Sequence, residues 1–278
     1  MSELTSPTLR RVRLARRLRR MREAKGLKLE EAARLLDKTR SGLHRIESGT
    51  SKADVHFVRS AMDIYDMYDP DLVELARDAA RPGWWRKYGI EAHGFIAMET
   101  EAATEHELSL MHVPGLLQTE GYMRAVFEND LLAIRGEKRG DQVAARLHRR
   151  ARLTDEEFPL KLVAVVDEAA LRKAVGGADV MRDQLRHLAR QAELPSVTLH
   201  VLPDSCGSHV GMDGSFVLLD FIEDEDPDLL FAPYITGSLH IENPEEVAAA
   251  KVVFDRLRSE ALNPSESVAF VERVAGRL

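Results

Sequence analysis

The residues best suited to chemistry lie in a short basic segment near the N-terminus. Thr39 is a favourable N-cap residue for a helix over about 40–47, and Gly49 would end that helix. Its first half carries small or hydrogen-bonding residues, which are Arg40, Ser41, Gly42 and His44. Side chains of this kind at a helix N-terminus can reach base edges in the major groove. The segment therefore favours recognition of double-stranded DNA.

Eight residues around this helix are the candidate DNA contacts. They are Lys28, Thr39, Arg40, Ser41, Gly42, His44, Arg45 and Lys52. Side chains of the first turn would read base edges, while the flanks of the helix would hold phosphates. We predict no catalytic, cofactor-binding or metal-binding residue, because the chain has no phosphate-cradling glycine loop, nucleophile elbow or His-Glu-x-x-His motif. The single cysteine, Cys206, excludes an internal disulfide and a cysteine-based zinc site.

The helix-forming patterns before residue 81 predict a compact all-α domain. Apolar residues recur at helical spacing from Leu9 onwards, and Gly26 would end that first helix. Further short helices are predicted over 29–36, over 40–47, from about Val55 to Tyr65, and from Asp69-Pro70-Asp71 to about Ala80. The motif Arg81-Pro82-Gly83-Trp84-Trp85 interrupts the pattern, so we place the domains at 1–81 and 82–278, with the tryptophans at the junction.

Charge is divided unevenly along the chain. The 278 residues include 39 Lys and Arg and 46 Asp and Glu, a net charge of −7. Residues 1–60 carry +9 and residues 61–278 carry −16. This division predicts that only the N-terminal part meets a polyanion. We interpret the basic run over 10–25 as attraction for phosphates; the alternatives are a solvated helix face and a small bundle for protein contacts.

The N-terminal motifs resemble a known family. Residues 9–68 resemble the helix-turn-helix domain of phage-repressor or xenobiotic-response-element (XRE) type regulators, and the segment Ser41 to Gly49 is similar to the core motif S-x-hydrophobic-S-R-I-E-x-G. The resemblance implies that Thr39, Arg40, Ser41 and His44 face DNA. It also implies that Glu47 pairs inward with Arg22. The chain departs from the pattern at Leu29, where many members have glutamine, and at His44, where serine is commoner.

The remainder of the chain predicts an α+β domain with a mixed sheet and flanking helices. Strands are predicted over 161–166, 197–201, 215–221 and 229–234, with further candidates at 108–112 and 239–241. Helices are predicted over about 120–128, 139–153, 168–173, 179–192, 245–261 and 265–276. The last two begin with Asn-Pro, which is a strong helix-start signal.

Several motifs of this domain are similar to those of a large actinobacterial regulator family. They are Gly83-Trp84-Trp85, Val113 to Tyr122, Asp167 to Arg172, Val201-Leu202-Pro203 and Gly211 to Phe216. Members of that family often accompany a small partner protein and are antitoxin-like. The resemblance therefore implies a partner-binding or effector-binding C-terminal domain.

Most of these motifs also have a plain structural interpretation, which we favour. The loop 113–119 would pack its leucines in the core, the alternative being a partner-facing loop. Asp167-Glu168 would cap a helix, and Cys206 would take no part in chemistry. His209 with Asp213 is a conceivable catalytic or metal-binding pair, but no third ligand stands at a recognisable spacing. The acidic run from Glu223 to Asp228 would form a solvated loop.

The leading hypothesis is a transcriptional regulator that binds double-stranded DNA as a homodimer on an inverted repeat. One alternative is an antitoxin-like protein that sequesters a small partner encoded next to it and regulates its own synthesis. A second is a ligand-sensing or enzymatic body with a DNA-binding domain, although we expect no enzyme. No apolar run approaches the roughly 20 residues that span a bilayer. We therefore expect a cytoplasmic protein that associates with the nucleoid.

Overall fold

The computed structural model describes residues 7–90, 94–129, 138–222 and 226–278 of the chain. These residues form two compact units. The first comprises Met1–Lys87 and Glu91–Glu101, and the second comprises Tyr88–Ile90 and Ala102–Leu278. The first unit is all-α and the second is α+β, as the sequence predicts.

The first unit consists of helices. They are α1 (Pro7–Ala24), α2 (Leu29–Leu35), α3 (Arg40–Glu47), α4 (Val55–Tyr65), α5 (Pro70–Ala80), a 3-10 turn (Trp84–Tyr88) and α6 (Phe95–Glu101). Gly26 has a φ of +75° directly after α1, where a left-handed residue ends the helix. Asp54 accepts the Phe57 N–H at 2.8 Å and thereby caps α4. The five predicted helices are therefore present with nearly the predicted bounds.

A single apolar core joins these helices. Leu14 and Leu18 of α1 are 1% exposed, and they pack with the buried faces of α2 to α5. The largest side chain of this core is Tyr65, which is also 1% exposed. Burial raises the pKa of the Tyr65 hydroxyl to about 12. The core therefore holds α3 rigidly against the rest of the unit.

The first unit continues beyond the boundary predicted after residue 81. Trp84 and Trp85 are buried in this unit, and Trp84 Nε1 donates a hydrogen bond to Thr100 Oγ1 of α6 at 3.1 Å. The next residue of α6, Glu101, lies 3.0 Å from Nε of Arg10 in α1. These contacts attach α6, which the sequence analysis does not predict, to the helical unit.

A six-stranded sheet organises the second unit. Its strands are β1 (Thr104–Ser109), β2 (Lys161–Asp167), β3 (Val197–Leu202), β4 (Phe216–Asp220), β5 (Leu229–Tyr234) and β6 (Gly237–Ile241), in the order β3-β2-β1-β4-β5-β6. The β1–β2 and β2–β3 pairs are parallel, and the β1–β4, β4–β5 and β5–β6 pairs are antiparallel.

Helices of the second unit follow or flank these strands. They are α7 (Glu120–Asn129), α8 (Lys138–Arg150), α9 (Glu168–Arg172), α10 (Ala178–Gln191), α11 (Pro244–Glu260) and α12 (Pro264–Ala275). Phe254 and Leu257 of α11 pack with Leu108, Val165 and Leu218 of the sheet. This layer is the apolar core behind one sheet face.

The position of β1 corrects the sequence analysis, which places a strand at 108–112. The strand is Thr104–Ser109, in the middle of the sheet. Its polar residues hide the strand pattern, because their partners come from distant segments: His106 Nε2 lies 3.0 Å from Asp220 Oδ2 in β4. Glu105 is buried as well, with only 1% of its surface exposed.

Candidate nucleic-acid interface

The turn between α2 and α3 sets the crossing of these two helices. Ala33 of α2 is 2% exposed, and its carbonyl accepts the Lys38 N–H at 2.8 Å. Asp37, between the two helices, has a φ of +52° and is one of two described non-glycine residues in the left-handed region. Aspartate tolerates that conformation better than most residues. The chain therefore turns sharply enough to start α3 at Arg40.

The first turn of α3 is fixed by its cap. Thr39 Oγ1 accepts the N–H of Gly42 at 3.0 Å and lies 3.2 Å from Ser41 Oγ. A Cβ atom at position 42 would lie only 3.0 Å from the same Thr39 oxygen. Glycine therefore leaves the room that the cap needs, and the predicted N-cap role of Thr39 is confirmed.

The inner side of α3 is bound tightly to the unit. Leu43 is 1% exposed and Ile46 is 8% exposed. Glu47 receives two hydrogen bonds from Arg22, at 2.8 Å to Oε1 and 2.9 Å to Oε2. Arg22 also donates to the Leu27 carbonyl at 2.8 Å, and the hydrogen bond with Glu47 raises the pKa of its guanidinium. The pairing of Glu47 with Arg22 that the resemblance implies is thus confirmed.

The outer side of α3 carries the candidate DNA contacts. Seven of the eight candidates are exposed, namely Lys28, Thr39, Arg40, Ser41, His44, Arg45 and Lys52, and Gly42 is half-buried. Within the part of the chain that the structure describes, no carboxylate pairs with the cations Lys28, Arg40, Arg45 or Lys52. The structure places Arg40, Ser41, His44 and Arg45 on one helix and Thr39 at its start. Their polar groups are available to a ligand.

Several arginines of α1, in contrast to those of α3, form ion pairs with carboxylates. Arg10 lies 3.0 Å from Glu101 and 3.3 Å from Asp78, and Arg17 lies 2.5 Å from Asp69. Arg13 also reaches Glu101, at 3.4 Å. Carboxylates of the same unit thus pair with these side chains, which gives them a structural role, and the interpretation of the run over 10–25 as phosphate attraction stays a prediction.

The charge of the complete first unit reflects this internal pairing. Residues 1–87 and 91–101 contain 20 Lys and Arg and 16 Asp and Glu, a net charge of +4 rather than the +9 of residues 1–60. Among the described residues, the basic side chains without a paired carboxylate include Lys28, Arg40, Arg45 and Lys52. α3 and its flanks therefore present positive charge that is available to a polyanion.

Sequence reasoning missed two further residues beside α3. Thr50 is exposed in the loop after α3, and its Oγ1 lies 2.5 Å from Ser48 Oγ. Lys38 is exposed before α3, with its Nζ 5.8 Å from the centre of the Phe57 ring. The sequence signal that could have indicated Thr50 was the hydroxyl-rich run from Ser48 to Ser51 next to Lys52.

The acidic candidates of the second unit have structural partners. Asp167 Oδ1 accepts the Ala169 N–H at 2.8 Å and so caps α9. Glu168 is 5% exposed, pairs with Arg172, and accepts the Asp204 N–H at 2.9 Å. The capping interpretation of Asp167 is thus confirmed.

The carboxylate beside His209 is Asp167 rather than Asp213. His209 Nε2 lies 3.4 Å from Asp167 Oδ2, and its Nδ1 accepts the Gly211 N–H at 3.2 Å. Burial, followed by the nearby charge of Asp167, raises the pKa of the Cys206 thiol. Among the described residues, no cluster of three or more His, Cys, Asp or Glu side chains could hold a metal ion.

The loop from Val113 to Thr119 is part of the core. Leu116 and Leu117 are 0% exposed, so the favoured core-packing interpretation is confirmed. Gln118 is 3% exposed, donates to the Val113 carbonyl at 2.7 Å, and accepts from Arg146 at 2.7 Å. At the C-terminal end of the loop, Gln184 of α10 accepts the Thr119 N–H at 2.6 Å.

The acidic run from Glu223 to Asp228 differs from the expected solvated loop. Positions 223–225 lie outside the described residues. Asp226 is 5% exposed, and Asp228 pairs with Lys251 of α11 at 2.6 Å. The expectation is therefore wrong for these two acids, which are held in place by their own unit.

Comparison with known proteins assigns a family model to each part of the chain. Residues 13–76 match a model described as a helix-turn-helix domain, and residues 93–273 match one described as a domain of unknown function (DUF5753). Neither the curated proteins nor the solved structures contain a match. No helix among the described residues has the length and apolar character that a membrane crossing requires. The helix-turn-helix match agrees with a role in binding DNA.

Proposed function

We propose that this chain, which belongs to the family of proteins with the domain of unknown function DUF5753, is a sequence-specific transcriptional regulator of the XRE type. One observation carries the proposal: α3 exposes Arg40, Ser41, His44 and Arg45 without paired acids, while Glu47 and Leu43 tie its inner side to α1. Arginine can bind guanine bidentately and serine can hydrogen-bond to either kind of base. A rigid helix with free donors on one side is suited to the major groove.

The proposal includes a homodimer on an inverted repeat. A single helix-turn-helix unit reads few base pairs, and specific binding commonly uses two half-sites that are one helical turn apart. What supports this part is the small size of the exposed α3 surface, which extends over eight residues. We place the protein in the cytoplasm, on the nucleoid, because its ligand is there.

The experiment is a footprint on the DNA upstream of the protein's own gene. We expect two protected half-sites with the same sequence in opposite orientations. A fluorescence titration then compares this site with random DNA of the same length at one salt concentration. Equal affinity for the two would contradict sequence-specific regulation.

We further propose that the second unit binds a small partner protein, with an antitoxin-like function as the alternative to simple regulation. Large apolar side chains exposed on that unit support it: Met111, Phe158, Met212 and Ile222 are between 52% and 69% exposed. Co-expression with the product of a short adjacent reading frame tests it. A stable complex that changes the footprint supports partner binding, and separate elution of the two proteins contradicts it.

The proposal assigns no catalytic step, cofactor or metal to the second unit. Its acidic and histidine candidates cap helices or pair with neighbours, which supports a binding role over an enzymatic one. A ligand-sensing body is the remaining alternative. A small molecule that shifts the melting temperature and changes DNA affinity would favour sensing.

A further inference from the structure

The two edge strands of the sheet in the second unit, β3 and β6, differ in how far other segments cover them. At the β3 edge, the Val201 N–H donates to Ser267 Oγ at 2.9 Å, and its carbonyl accepts the Leu262 N–H at 2.9 Å. The helix α12 packs against the same strand. The β3 edge is therefore covered by α12 and by the residues that precede it.

The β6 edge has no such cover among the described residues. β6 is the last strand in the sheet order, and its sequence Gly-Ser-Leu-His-Ile contains no lysine, arginine, acid or proline. Natural sheets commonly protect open edges with charged residues, proline or bulges. Tyr234 and Leu239 are 55% and 53% exposed there, and Ile235 at the hairpin tip is 90% exposed.

The pairing of β5 with β6 shows which backbone groups are free. Pro233 lies opposite Ser238 and has no N–H, so that pair is not hydrogen-bonded. In an antiparallel ladder the pairs alternate, and Leu239 therefore hydrogen-bonds towards Ala232 in β5. Ser238 and His240 then direct their N–H and C=O groups away from the sheet. No hydrogen bond within the described residues reaches them.

We propose that β6 pairs antiparallel with β6 of a second copy of this chain, about a twofold axis at Leu239. The register opposes Leu239 to its own copy as a non-hydrogen-bonded pair and opposes Ser238 to His240 of the second copy. Each copy offers the same free donors and acceptors, so the contact closes on itself as a dimer. The two sheets become one sheet of twelve strands.

The surroundings of β6 favour a second copy as the occupant. In this register Ile235 at the tip comes alongside the start of α11 of the second copy. A depression lies there, lined by the apolar residues Pro227, Pro244, Val247 and Ala248 and by the charged residues Asp228, Glu242 and Lys251. The same symmetry thus brings each exposed apolar tip to the apolar part of the depression on the other copy, and this contact is made twice. No acid faces an acid across the Ser238–His240 pairs.

This inference rests on the proposed function only for the use of a dimer, which brings two α3 helices to two half-sites. The decisive variant is His240→Pro, because the N–H that proline removes points away from β5 and serves only the second copy. His240→Ala is the matched control, since it keeps the N–H and loses the same contact with the Phe231 ring, whose centre lies 5.1 Å from that of His240.

The test is the molar mass of the full chain by light scattering on a sizing column. We expect a dimer for the wild type and for His240→Ala, and a folded monomer for His240→Pro, with unchanged circular dichroism. A monomeric wild type, or a dimeric His240→Pro variant, overturns the proposal.

A second measurement does not depend on destabilising the dimer. In a Cys206→Ser background, Leu239→Cys should form an intermolecular disulfide on mild oxidation, because opposed Cα atoms in such pairs are about 4.5 Å apart. Ile241→Cys, which opposes Gly237 of the second copy, should not. Equal cross-linking of both, or of neither, contradicts the register.

DNA binding separates this inference from the proposed function. The monomeric His240→Pro variant keeps α3 intact, so it should bind a single half-site like the wild type and lose about 100-fold or more on the paired site. If the protein dimerises through β6 but binds no DNA, the proposed DNA-binding function is contradicted and the β6 interface is supported. If the His240→Pro variant remains a dimer and binds the paired site specifically, the proposed function is supported and the β6 interface is contradicted.

Discussion

Two helices of the first unit carry arginines in opposite states. In α1, the guanidinium groups of Arg10, Arg13, Arg17 and Arg22 face carboxylates of their own unit, and Arg22 is 8% exposed. In α3, Arg40 and Arg45 are exposed without a paired acid among the described residues. These four arginines of the longer basic run are thus held by acids of the fold, whereas the two arginines of α3 are available to a ligand.

The largest expected effect comes from breaking the inner pairing. Glu47→Ala removes both hydrogen bonds between Arg22 and Glu47 and leaves the buried guanidinium only the partly exposed Glu23, 3.4 Å away. We expect a loss of about 3 kcal/mol, the lower end of the cost of removing one partner from a buried ion pair. Urea denaturation measures the change in the free energy of unfolding. The control is Glu74→Ala, because Glu74 pairs with Arg77 on the surface and should contribute at most about 1 kcal/mol. Similar small losses in both variants would remove the distinction between the helices.

The second effect concerns binding. Arg40→Ala should lower affinity for the operator by about 1–3 kcal/mol, the usual value of a good base contact. The free energy of unfolding should be unchanged, since the Arg40 side chain has no partner to lose in the part of the chain that the structure describes. Arg77→Ala on α5 is the matched control for removal of a surface arginine. If operator and random DNA weaken equally with Arg40→Ala, the residue contacts phosphate and our assignment of a base contact is wrong.

The third effect tests whether α3 needs its cap. Thr39→Ala removes the acceptor of the Gly42 N–H and should lower stability by about 1 kcal/mol. Thr50→Ala, in the loop after α3, removes a similar hydroxyl that caps no helix in the structure. Thermal unfolding distinguishes them, and an equal effect of the two variants would argue against the cap as the source.

A smaller effect is expected in the salt dependence of DNA binding, which should differ between variants beside α3 and variants in α1. Lys52→Ala should reduce the slope of log affinity against log salt by about 0.9 for each phosphate contact that is lost. Arg17→Ala should leave the slope unchanged, because Asp69 already neutralises Arg17. Binding titrations over a range of salt concentrations measure both. A change in slope for Arg17→Ala would return α1 to the DNA interface.

A pH-dependent effect extends the comparison to a histidine that lies beside arginines in the second unit. Burial, followed by the charges of Arg150 and Arg190, lowers the pKa of His187 to about 4. In the unfolded chain His187 takes up a proton near pH 6.5, so stability should fall as the pH drops from about 6.5 towards 4. His187→Gln should make this fall shallower in denaturation curves, and His44→Gln, on exposed α3, should not. An unchanged fall would assign it to other groups.

The sequence predicts much of this fold because the signals for its helices are local. The caps at Thr39 and Asn263 and the glycine after α1 lie next to the elements that they start or end. The strand β1 was misplaced because its polar residues are satisfied by Asp220 and other residues far along the chain. The helix α6 was missed altogether, as its contacts are with Trp84 and α1.

The candidate interface was predictable in its residues and less so in its charge. A motif indicates which side chains α3 turns outward, since helical spacing and the Leu43 and Ile46 positions determine it. The state of Arg10 and Arg17 in α1 depends on Asp69, Asp78 and Glu101, which are 52 to 91 positions away. Counting charges in a window of sequence therefore cannot distinguish a paired cation from a free one.

The narrow space above Gly42 limits how this regulator could acquire a new operator. A side chain at position 42 would place its Cβ only 3.0 Å from the Thr39 oxygen, so the capping side chain would have to shift to admit it. Arg40, Ser41, His44 and Arg45 can be exchanged without touching the core. Divergence among duplicated copies, or a laboratory library of altered specificity, would therefore proceed through these four residues around a constant glycine.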